Sequence, residues 1–463
     1  MSVEDTEIRP GEVHEWHLVS LRGDGLPEHP AARRMSGYNQ AKHFTVARQA
    51  QDANDPIRSY VAGTFDISGT VDVAALEAAL LHLVRRHELL RTLYRPLAGD
   101  LSCDVLDPGD VALKHVEAGR LDSVDEVRAH LHRTFRTVET LSWPLIVMGA
   151  VVRDGSATVY FSCDHLVTDG LSTAIAVNDI ASAYEALTGG QPLDLTDVGS
   201  YLDFSRAQRR DNRAMSAEDE RLDYWREFSA RNGGLFPRFP LELGVEPGRL
   251  YPPVTRTERL LTGRQVDGLE AECRARGGRL SMGLLAAVAI SLREEGGPQV
   301  YRGLVPVNER GRGAYAQAMG WFINTLPIEF PVGEGMGFTD VLAGAQEAYA
   351  VMRAHSDVHF VKAWRLLAPD EYAKLHYWPH AVNFFSFIDF RRMPGAERHA
   401  ACNARMHVWV SRCNGILFWL HRTDGGLYLN TIHVDTPRAR STKAGFVRTL
   451  VRTVATLPRA EAR

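Results

Sequence analysis

The stretch YFSCDHLVTDGLS, residues 160–172, decides how the fold of this chain is interpreted. It places His165 and Asp169 four residues apart, and Gly170 follows the aspartate directly. A histidine, a carboxylate and a glycine this close together fit a reactive loop, and they also fit a polar turn between a strand and a helix. The flanking sequence and the other motifs of the chain are needed to separate these two interpretations.

The residues on both sides of this stretch predict a strand before it and a helix after it. Residues 145–163 contain two β-rich runs around an Asp-Gly pair, which is the pattern of a hairpin. Residues 171–190 predict a helix that stops at a Gly-Gly pair. Further upstream, residues 71–92 have leucines at i, i+4 and i+7 behind Asp72 as an N-cap, which predicts an amphipathic helix. His165 is therefore expected on a connection that rigid elements hold from both sides.

The length and composition predict an ordinary globular protein with more than one core. A chain of 463 residues is too long for one core, so two domains of roughly 200 residues each are expected. Apolar residues make up 45% of the chain and charged residues 24%, as in soluble globular proteins. The formal net charge of -4 gives no basic excess, so no nucleic-acid partner is expected.

The sequence predicts a cytoplasmic protein without a membrane segment or a metal site. The acidic, polar N-terminus does not resemble a secretory signal. The longest apolar run, residues 282–292, is shorter than the roughly 20 residues that span a bilayer, so we expect a buried helix there. The five cysteines are scattered and lack metal-ligand spacing, and the histidines form no HExxH motif.

Two α/β halves are expected, joined by a polar crossover. Residues 1–34, rich in charge, glycine and proline, are predicted to be a leader segment. The proline-dotted stretch at about 190–255 is predicted to connect the halves. The second half should contain helices at about 265–276 and 281–293. Its strand-like runs are QVYRGLVPV, NTLPIEF, HAVNFFSFIDF and GGLYLNTIHV.

Six motifs occur along the chain in the order and spacing of one known family. They are MSGYNQAKHF (35–44), RRHELLRT (85–92), DHLVTDG (164–170), YLDFSRAQ (201–208) with DYWREF (223–228), VPVNERGR (305–312) and MGWFINTLPIEF (319–330). A seventh, AHSDVHF (354–360), matches more weakly. Together they resemble the condensation-domain superfamily of nonribosomal peptide synthetases. That superfamily also contains free-standing ester- and amide-forming enzymes, polyketide-associated acyltransferases and chloramphenicol-acetyltransferase-like enzymes.

The resemblance implies an α/β fold of two chloramphenicol-acetyltransferase-like subdomains in a V-shaped pseudo-dimer, with mixed sheets flanked by helices. The expected division is a leader segment at 1–34, an N-terminal subdomain at 35–195, and the crossover with the C-terminal subdomain at 196–463. In the family, the active site lies in a tunnel between the subdomains, which the donor and the acceptor enter from opposite faces.

His165 is the predicted catalytic residue. Attack on a thioester requires a nucleophile that loses its proton, and a neutral imidazole, with an ordinary pKa near 6.5, can accept that proton. The alternative for an isolated histidine is a structural residue with a satisfied hydrogen bond. The neighbouring motifs favour the catalytic interpretation. Gly170 has two interpretations that stay open: a turn glycine, or a position of close approach where the start of the next helix stabilises an oxyanion.

Asp169 also has two interpretations. It could orient His165, as in a catalytic triad. The resemblance implies instead that it forms a structural ion pair, and by motif position the partner would be Arg310. The structural ion pair is the prediction that we carry forward.

The chain departs from the family pattern at two places. Asp164 stands where the family usually has the first histidine, and the late arginine-rich block is present only as NFFSFIDFRR (383–392). If ionised beside His165, Asp164 would raise the pKa of the imidazole; the alternative is that it faces away and binds the backbone. Asp164, Asn324 and Asn383 are candidates for lining the tunnel, and Trp321 is predicted to be a packing residue. The charged residues of RRHELLRT are predicted to be structural.

The predicted function is acyl transfer by a free-standing condensation enzyme of natural-product biosynthesis, such as nonribosomal peptide synthesis. An acyl or aminoacyl group would pass from phosphopantetheine on an acyl or peptidyl carrier protein to a small-molecule amine or alcohol, and free-standing relatives favour ester bond formation. A coenzyme A thioester is the alternative donor, and no tightly bound cofactor is expected. From another class, a non-catalytic recruitment module is the alternative, although the retained His165, Asp169 and Gly170 argue against it.

Overall fold

The computed structural model describes residues 2–22, 34–97, 100–374 and 380–456. The chain divides into two compact units. Unit 1 consists of Met1–Arg213, Asn308–Phe322 and Arg392–Val410, and unit 2 of Ala214–Val307, Ile323–Arg391 and Ser411–Arg463.

Helices and strands are interspersed along the described chain, with several runs of two or three elements of one type. The helices are α1 (Tyr38–Asp52), α2 (Val73–Arg86), α3 (Val124–Phe135), α4 (Gly170–Gly189), α5 (Tyr201–Asp211), α6 (Asp223–Asn232), α7 (Gly263–Ala275), α8 (Leu280–Glu294), α9 (Phe338–Ala354), α10 (Phe360–Leu367), α11 (Pro369–Lys374), α12 (Ala396–His399) and α13 (Pro437–Thr456). The strands are β1 (Gly11–Ser20), β2 (Arg34–Met35), β3 (Ser59–Ser68), β4 (Thr92–Leu97), β5 (Asp100–Val105), β6 (Val111–Leu121), β7 (Ile146–Arg153), β8 (Ser156–Asp164), β9 (Pro253–Thr262), β10 (Val300–Asn308), β11 (Ile323–Pro331), β12 (Phe387–Asp389), β13 (Arg405–Val410), β14 (Ile416–Thr423) and β15 (Gly426–Val434).

Unit 1 is built on a six-stranded sheet in the order β13-β3-β8-β7-β1-β6, in which every neighbouring pair is antiparallel. A second sheet has the order β2-β5-β4. Strand β8 lies inside the large sheet and is buried over almost its whole length, because its apolar residues pack on both faces. The chain leaves this strand at Asp164, so His165 comes directly after the buried end of a central strand.

The elements predicted around His165 are confirmed. Strands β7 and β8 form the hairpin, and Gly155 takes a φ of 73° in its two-residue turn. Helix α4 ends at Gly190, which has the left-handed φ of 62° that a helix C-terminus favours. Helix α2 begins behind Asp72, whose carboxylate accepts a hydrogen bond from the Ala75 N–H at 2.9 Å. Helices α2 and α4 pack against each other, and α4 also packs on β3.

Unit 2 contains a mixed sheet in the order β12-β14-β15-β9, where β12 and β14 are parallel and the other neighbours antiparallel. Strands β10 and β11 pair separately. The predicted apolar helix is α8, and nearly all of its side chains from Leu280 to Leu292 are buried. Within the described ranges, no helix combines the length and the apolar character that crossing a membrane requires.

The division of the chain differs from the predicted one in two respects. The expected leader at 1–34 contains β1, which pairs with β6 and β7 inside the large sheet; its residues 23–33 lie outside the described residues. Unit 1 also continues through α5 and gains two later segments, because β13 pairs with β3 and such long-range pairing leaves no local signal.

The secondary structure differs at two further places. The predicted crossover contains helices α5 and α6, each marked by a short amphipathic pattern. The run HAVNFFSFIDF forms only the three-residue strand β12 and isolated bridges.

Candidate active site

The loop that carries His165 is fixed by hydrogen bonds on both sides. Residues His165–Val167 form a single 3₁₀ turn between β8 and α4. The carboxylate of Asp164 caps this turn by accepting from the Leu166 N–H at 2.8 Å. From α1, the side-chain amide of Gln40 donates to the Leu166 carbonyl at 2.9 Å. The position of His165 is therefore set by a strand, a helix and a capped turn.

His165 is a residue of intermediate exposure, and its imidazole lies against aromatic rings of unit 1. The ring centroid of Trp321 is 4.1 Å away, and that of His43 is 6.1 Å away. The Nδ1 atom is buried and makes no well-formed hydrogen bond in the described part of the chain, although the main chain of His165 itself lies close enough to affect its pKa. The neighbours of this ring are thus mainly other rings, and no carboxylate is bound to it.

The surroundings lower the pKa of His165 to about 4. Burial is the largest cause, since a desolvated imidazolium is unfavourable, and the positive charge that His43 can carry acts in the same direction. The main chain of His165 and the carboxylates of Asp164 and Asp169 act in the opposite direction but are weaker. Asp164 thus raises the pKa of this imidazole, in the direction expected of an ionised neighbour, but burial outweighs it. At neutral pH the ring is neutral and able to accept a proton.

Asp169 and Arg310 form a buried ion pair. The guanidinium donates from Nη1 to Oδ2 at 2.7 Å and from Nη2 to Oδ1 at 2.9 Å. Ser172 donates to Oδ1 from its N–H and its hydroxyl, and the Phe322 N–H donates to Oδ2 at 3.2 Å. The carboxylate is 2% exposed and its bonding capacity is filled by groups other than His165. Of the two predicted interpretations, the geometry agrees with the structural pair.

The charge of Asp169 is stabilised despite its burial. Burial alone would raise the pKa of this carboxyl, but the charge and hydrogen bonds of Arg310, together with Ser172, outweigh burial and lower the pKa. Arg310 in turn donates to the carbonyls of Ala318 and Gly320. The pair ties the start of α4 to the segment Asn308–Phe322, which also supplies Trp321.

Gly170 is the first residue of α4 and has no positive φ, so a need for left-handed backbone is not the reason for glycine here. Asp169 is the N-cap of this helix and binds the N–H of Ser172. That cap leaves the N–H groups of Gly170 and Leu171 at the positive end of a 20-residue helix dipole, next to the turn of His165. Close approach of a substrate remains the functional interpretation of this glycine.

Asp164 is 1% exposed and faces the interior of unit 1, so its expected place in a tunnel wall does not agree with its burial. Besides capping Leu166, it accepts from the Thr140 hydroxyl at 2.8 Å. Its Oδ1 also lies 3.3 Å from Nε2 of His43 on α1. The predicted hydrogen bond from Asp164 to the backbone is thus present, and Asp164 also contacts a second imidazole, that of His43.

The charged residues of RRHELLRT hold structure together, as predicted. His87 is buried and binds Asp179 at 2.8 Å, and Arg86 binds the same carboxylate at 2.9 Å. Glu88 accepts from the hydroxyl of Ser200, the N-cap of α5, at 2.7 Å. His87 is thus a buried histidine with a hydrogen-bonded ring, whereas Nδ1 of His165 makes no well-formed hydrogen bond to a described residue.

The two predicted tunnel asparagines both belong to unit 2. Asn324 is fully buried, accepts from the N–H of Phe360 at 3.0 Å and donates to the Val358 carbonyl at 2.9 Å, so it holds the start of α10, and its tunnel role stays a prediction. Asn383 donates to the Arg302 carbonyl at 2.7 Å and lines a cavity of about 310 Å³ in unit 2. Its tunnel role stays a prediction.

The sequence interpretation missed His43 and Thr140, and it underestimated Trp321. His43 stood inside the quoted motif MSGYNQAKHF, three residues after Gln40, but nothing in the sequence connected it to Asp164. Among the described residues, no group of three or more potential ligands is arranged to hold a metal ion. All five cysteines have free thiols.

A family model described as Condensation domain matches residues 51–386. Two curated relatives are from Mycobacterium tuberculosis. The chain is 28% identical to 2'-acyl-2-O-sulfo-trehalose (hydroxy)phthioceranyltransferase PapA1 of strain CDC 1551 / Oshkosh over 352 residues, which are 75% of this chain and 67% of that protein. It is 26% identical to trehalose-2-sulfate acyltransferase PapA2 of strain ATCC 25618 / H37Rv over 447 residues, 95% of this chain and 92% of that one.

Solved structures share the fold over nearly the whole chain. A structure of PapA2 acyl transferase superposes with a TM-score of 0.88 at 24% identity and covers 99% of both chains. The first condensation domain of the calcium-dependent antibiotic synthetase gives a TM-score of 0.70 at 20% identity, covering 92% of this chain and 97% of that one. The expected α/β, chloramphenicol-acetyltransferase-like fold is confirmed.

Proposed function

The chain belongs to the condensation-domain family, and we propose on this premise that it transfers an acyl group from a thioester donor to a hydroxyl group of a small-molecule acceptor. That it is an acyltransferase agrees with the names of its relatives. The observation that carries the proposal is His165, a residue of intermediate exposure whose imidazole is neutral at pH 7 and is held by a rigid loop. The proposal also identifies the chemical class of the donor and of the acceptor.

The reaction follows from the geometry of the His165 turn. The imidazole takes the proton of the acceptor hydroxyl while the oxygen attacks the carbonyl carbon of the thioester. The N–H groups at the start of α4 stabilise the negative charge that develops on the carbonyl oxygen. The C–S bond then breaks with its electron pair on sulfur, and the thiolate takes up one proton, which balances the proton removed from the hydroxyl. The Asp169–Arg310 pair takes no part in proton transfer and keeps the start of α4 in place.

The relatives' names suggest the acceptor and leave the donor open. Both names contain trehalose, so we propose a carbohydrate hydroxyl as the acceptor and an ester as the product. The amine acceptor is the alternative. For the donor, we retain phosphopantetheine on a carrier protein and consider coenzyme A as the alternative. The cytoplasmic location stays a prediction.

The test offers octanoyl-CoA and octanoyl-carrier protein, separately, with trehalose, trehalose-2-sulfate or glucosamine. Ester products are followed by mass spectrometry and thiol release by a chromogenic reagent. We expect ester formation with a trehalose acceptor. The His165→Gln variant should lose about 10²–10⁴-fold in kcat, the usual contribution of a general base, without a change in Tm.

A matched control is His17→Gln, since the His17 side chain is half exposed on β1 and its nearest charged partner is Glu15. This variant should keep full activity. A folded His165→Gln variant with unchanged kcat would contradict the proposal and would favour a base elsewhere. Absence of transfer with every donor would favour a recruitment module, and exclusive amide formation with glucosamine would overturn the hydroxyl acceptor.

A further inference from the structure

Two imidazoles lie beside Trp321, although only one was expected. The His165 ring is 4.1 Å from the Trp321 ring centroid, and the His43 ring is 5.5 Å from it in an edge-on arrangement. The two imidazole centroids are 6.1 Å apart, and their planes are tilted by 48°. This spacing is short enough for both rings to act on one reacting centre, directly or through one water molecule. His43 is 19% exposed at its side chain, so it also faces outward from the core.

His43 is held by the residue at which this chain departs from its family. Oδ1 of Asp164 is 3.3 Å from Nε2 of His43, and the carboxylate itself is fixed by the Leu166 N–H and the Thr140 hydroxyl. A carboxylate behind an imidazole sets its tautomer and compensates the positive charge of its protonated form. Nε2 of His43 faces Asp164 and also lies 3.5 Å from the Thr140 hydroxyl, so Nδ1 is the nitrogen that remains for a ligand.

We propose that His43 is a second acid–base residue of this site, which gives a proton to the departing sulfur, and that Asp164 is its positioning residue. This inference rests on the proposed acyl transfer. It gives Asp164 a role that its burial alone does not explain, since one of its three contacts is to the imidazole that lies near His165.

The proton balance closes when the two rings divide the two proton transfers. The acceptor hydroxyl gives its proton to His165 while its oxygen bonds to the carbonyl carbon. The C–S bond breaks with its electron pair on sulfur, and protonated His43 supplies the proton that turns the thiolate into a thiol. The proton on His165 then passes through a water molecule to His43, which restores both rings. A single imidazole would serve the oxygen and the sulfur in turn, whereas two rings 6.1 Å apart can serve them separately.

The test compares two donors that share the octanoyl group and have thiol leaving groups that differ in their need for this proton. Octanoyl-CoA releases a basic alkyl thiolate, whereas S-(4-nitrophenyl) thiooctanoate releases a weakly basic aryl thiolate that leaves unprotonated. The acceptor is the one found in the first experiment, or water where none turns over. We expect His43→Gln to lower kcat at least about tenfold with octanoyl-CoA and less than about threefold with the aryl donor. His165→Gln should lower kcat with both donors.

Asp164→Asn should reproduce the donor-dependent loss of His43→Gln, and the double variant should be no worse than either single variant, because Asp164 acts through His43. His17→Gln should show no loss with either donor. Equal losses with both donors in a folded His43→Gln variant, or additive losses in the double variant, would overturn this inference and leave the proposed function intact. An unaffected His165→Gln variant would overturn the proposed function itself.

Discussion

A carboxylate lies on each side of the His165 turn, that of Asp164 before it and that of Asp169 after it, and the two have different roles. Asp164 and Asp169 are both buried, and both cap the segment that follows them, through the N–H groups of Leu166 and Ser172. Asp169 pairs with the guanidinium of Arg310, while Asp164 faces the imidazole of His43. The two carboxylates therefore differ in the partner, and not in the local backbone role.

The partner decides what each carboxylate can do. A guanidinium stays charged at every pH that a protein experiences, so the Asp169 pair can fix structure but cannot exchange a proton. An imidazole gains and loses its proton near neutral pH, so the Asp164 contact can take part in a reaction. We infer that the fold of the turn depends mainly on Asp169, and its chemistry partly on Asp164.

Asp169→Asn is expected to have the largest effect on stability. It leaves the guanidinium of Arg310 buried without its counter-charge, which costs about 3–5 kcal/mol in the free energy of unfolding. The measurement is urea unfolding followed by circular dichroism. Because folding lowers the pKa of Asp169, its contribution is present above the unfolded pKa of about 4 and is lost as the pH falls through the folded value. The variant should therefore lose part of the acid sensitivity of the parent.

Asp164→Asn is the matched variant for this comparison. Its side chain keeps the shape and an oxygen for the Leu166 N–H, so we expect a loss of about 1 kcal/mol. If Asp164→Asn destabilised the protein as much as Asp169→Asn, the distinction between the two carboxylates would be wrong.

The sequence predicted the partner of Asp169 better than that of Asp164. Asp169 and Arg310 are 141 residues apart, yet both stand in motifs whose family role is known, so their pairing could be expected. The contact between Asp164 and His43 could not, since it arises where the chain departs from the family pattern. The elements flanking His165 were predictable because hairpin and helix signals are local. The placement of β1 and β13 in the large sheet depends on long-range pairing, which carries no local signal.

Trp321→Ala tests whether burial, and not either carboxylate, sets the protonation of His165. Both carboxylates raise the pKa of the imidazole, but burial lowers it more, to about 4. Removing the indole admits water to the ring, so we expect the pKa to rise by about one unit toward 6.5. The base is active when neutral, so the acid limb of the kcat–pH profile should move upward by the same amount. Phe at this position is the control, since it keeps an aromatic ring against the imidazole and should keep most of the shift.

An acid limb that stayed in place in Trp321→Ala, and moved in Asp164→Asn instead, would show that a carboxylate controls His165. Asp164 would then act directly on His165, and not through His43. The profiles should be recorded above the pH at which Asp169 begins to lose its charge, so that unfolding does not mimic a titration.

Gly170→Ala addresses the smallest expected effect, at the helix that Asp169 caps. Gly170 is helical and has no positive φ, so alanine fits the backbone and should stabilise the protein by up to about 1 kcal/mol. If the reacting carbonyl approaches the Gly170 N–H, the added methyl group should still lower kcat/KM several-fold. Gly190→Ala is the control at the other end of α4: its φ of 62° makes alanine cost about 1 kcal/mol, and it should leave kcat/KM unchanged. Unchanged kcat/KM in Gly170→Ala would mean that this glycine is only a helix start, and that the reacting carbonyl does not approach its N–H group.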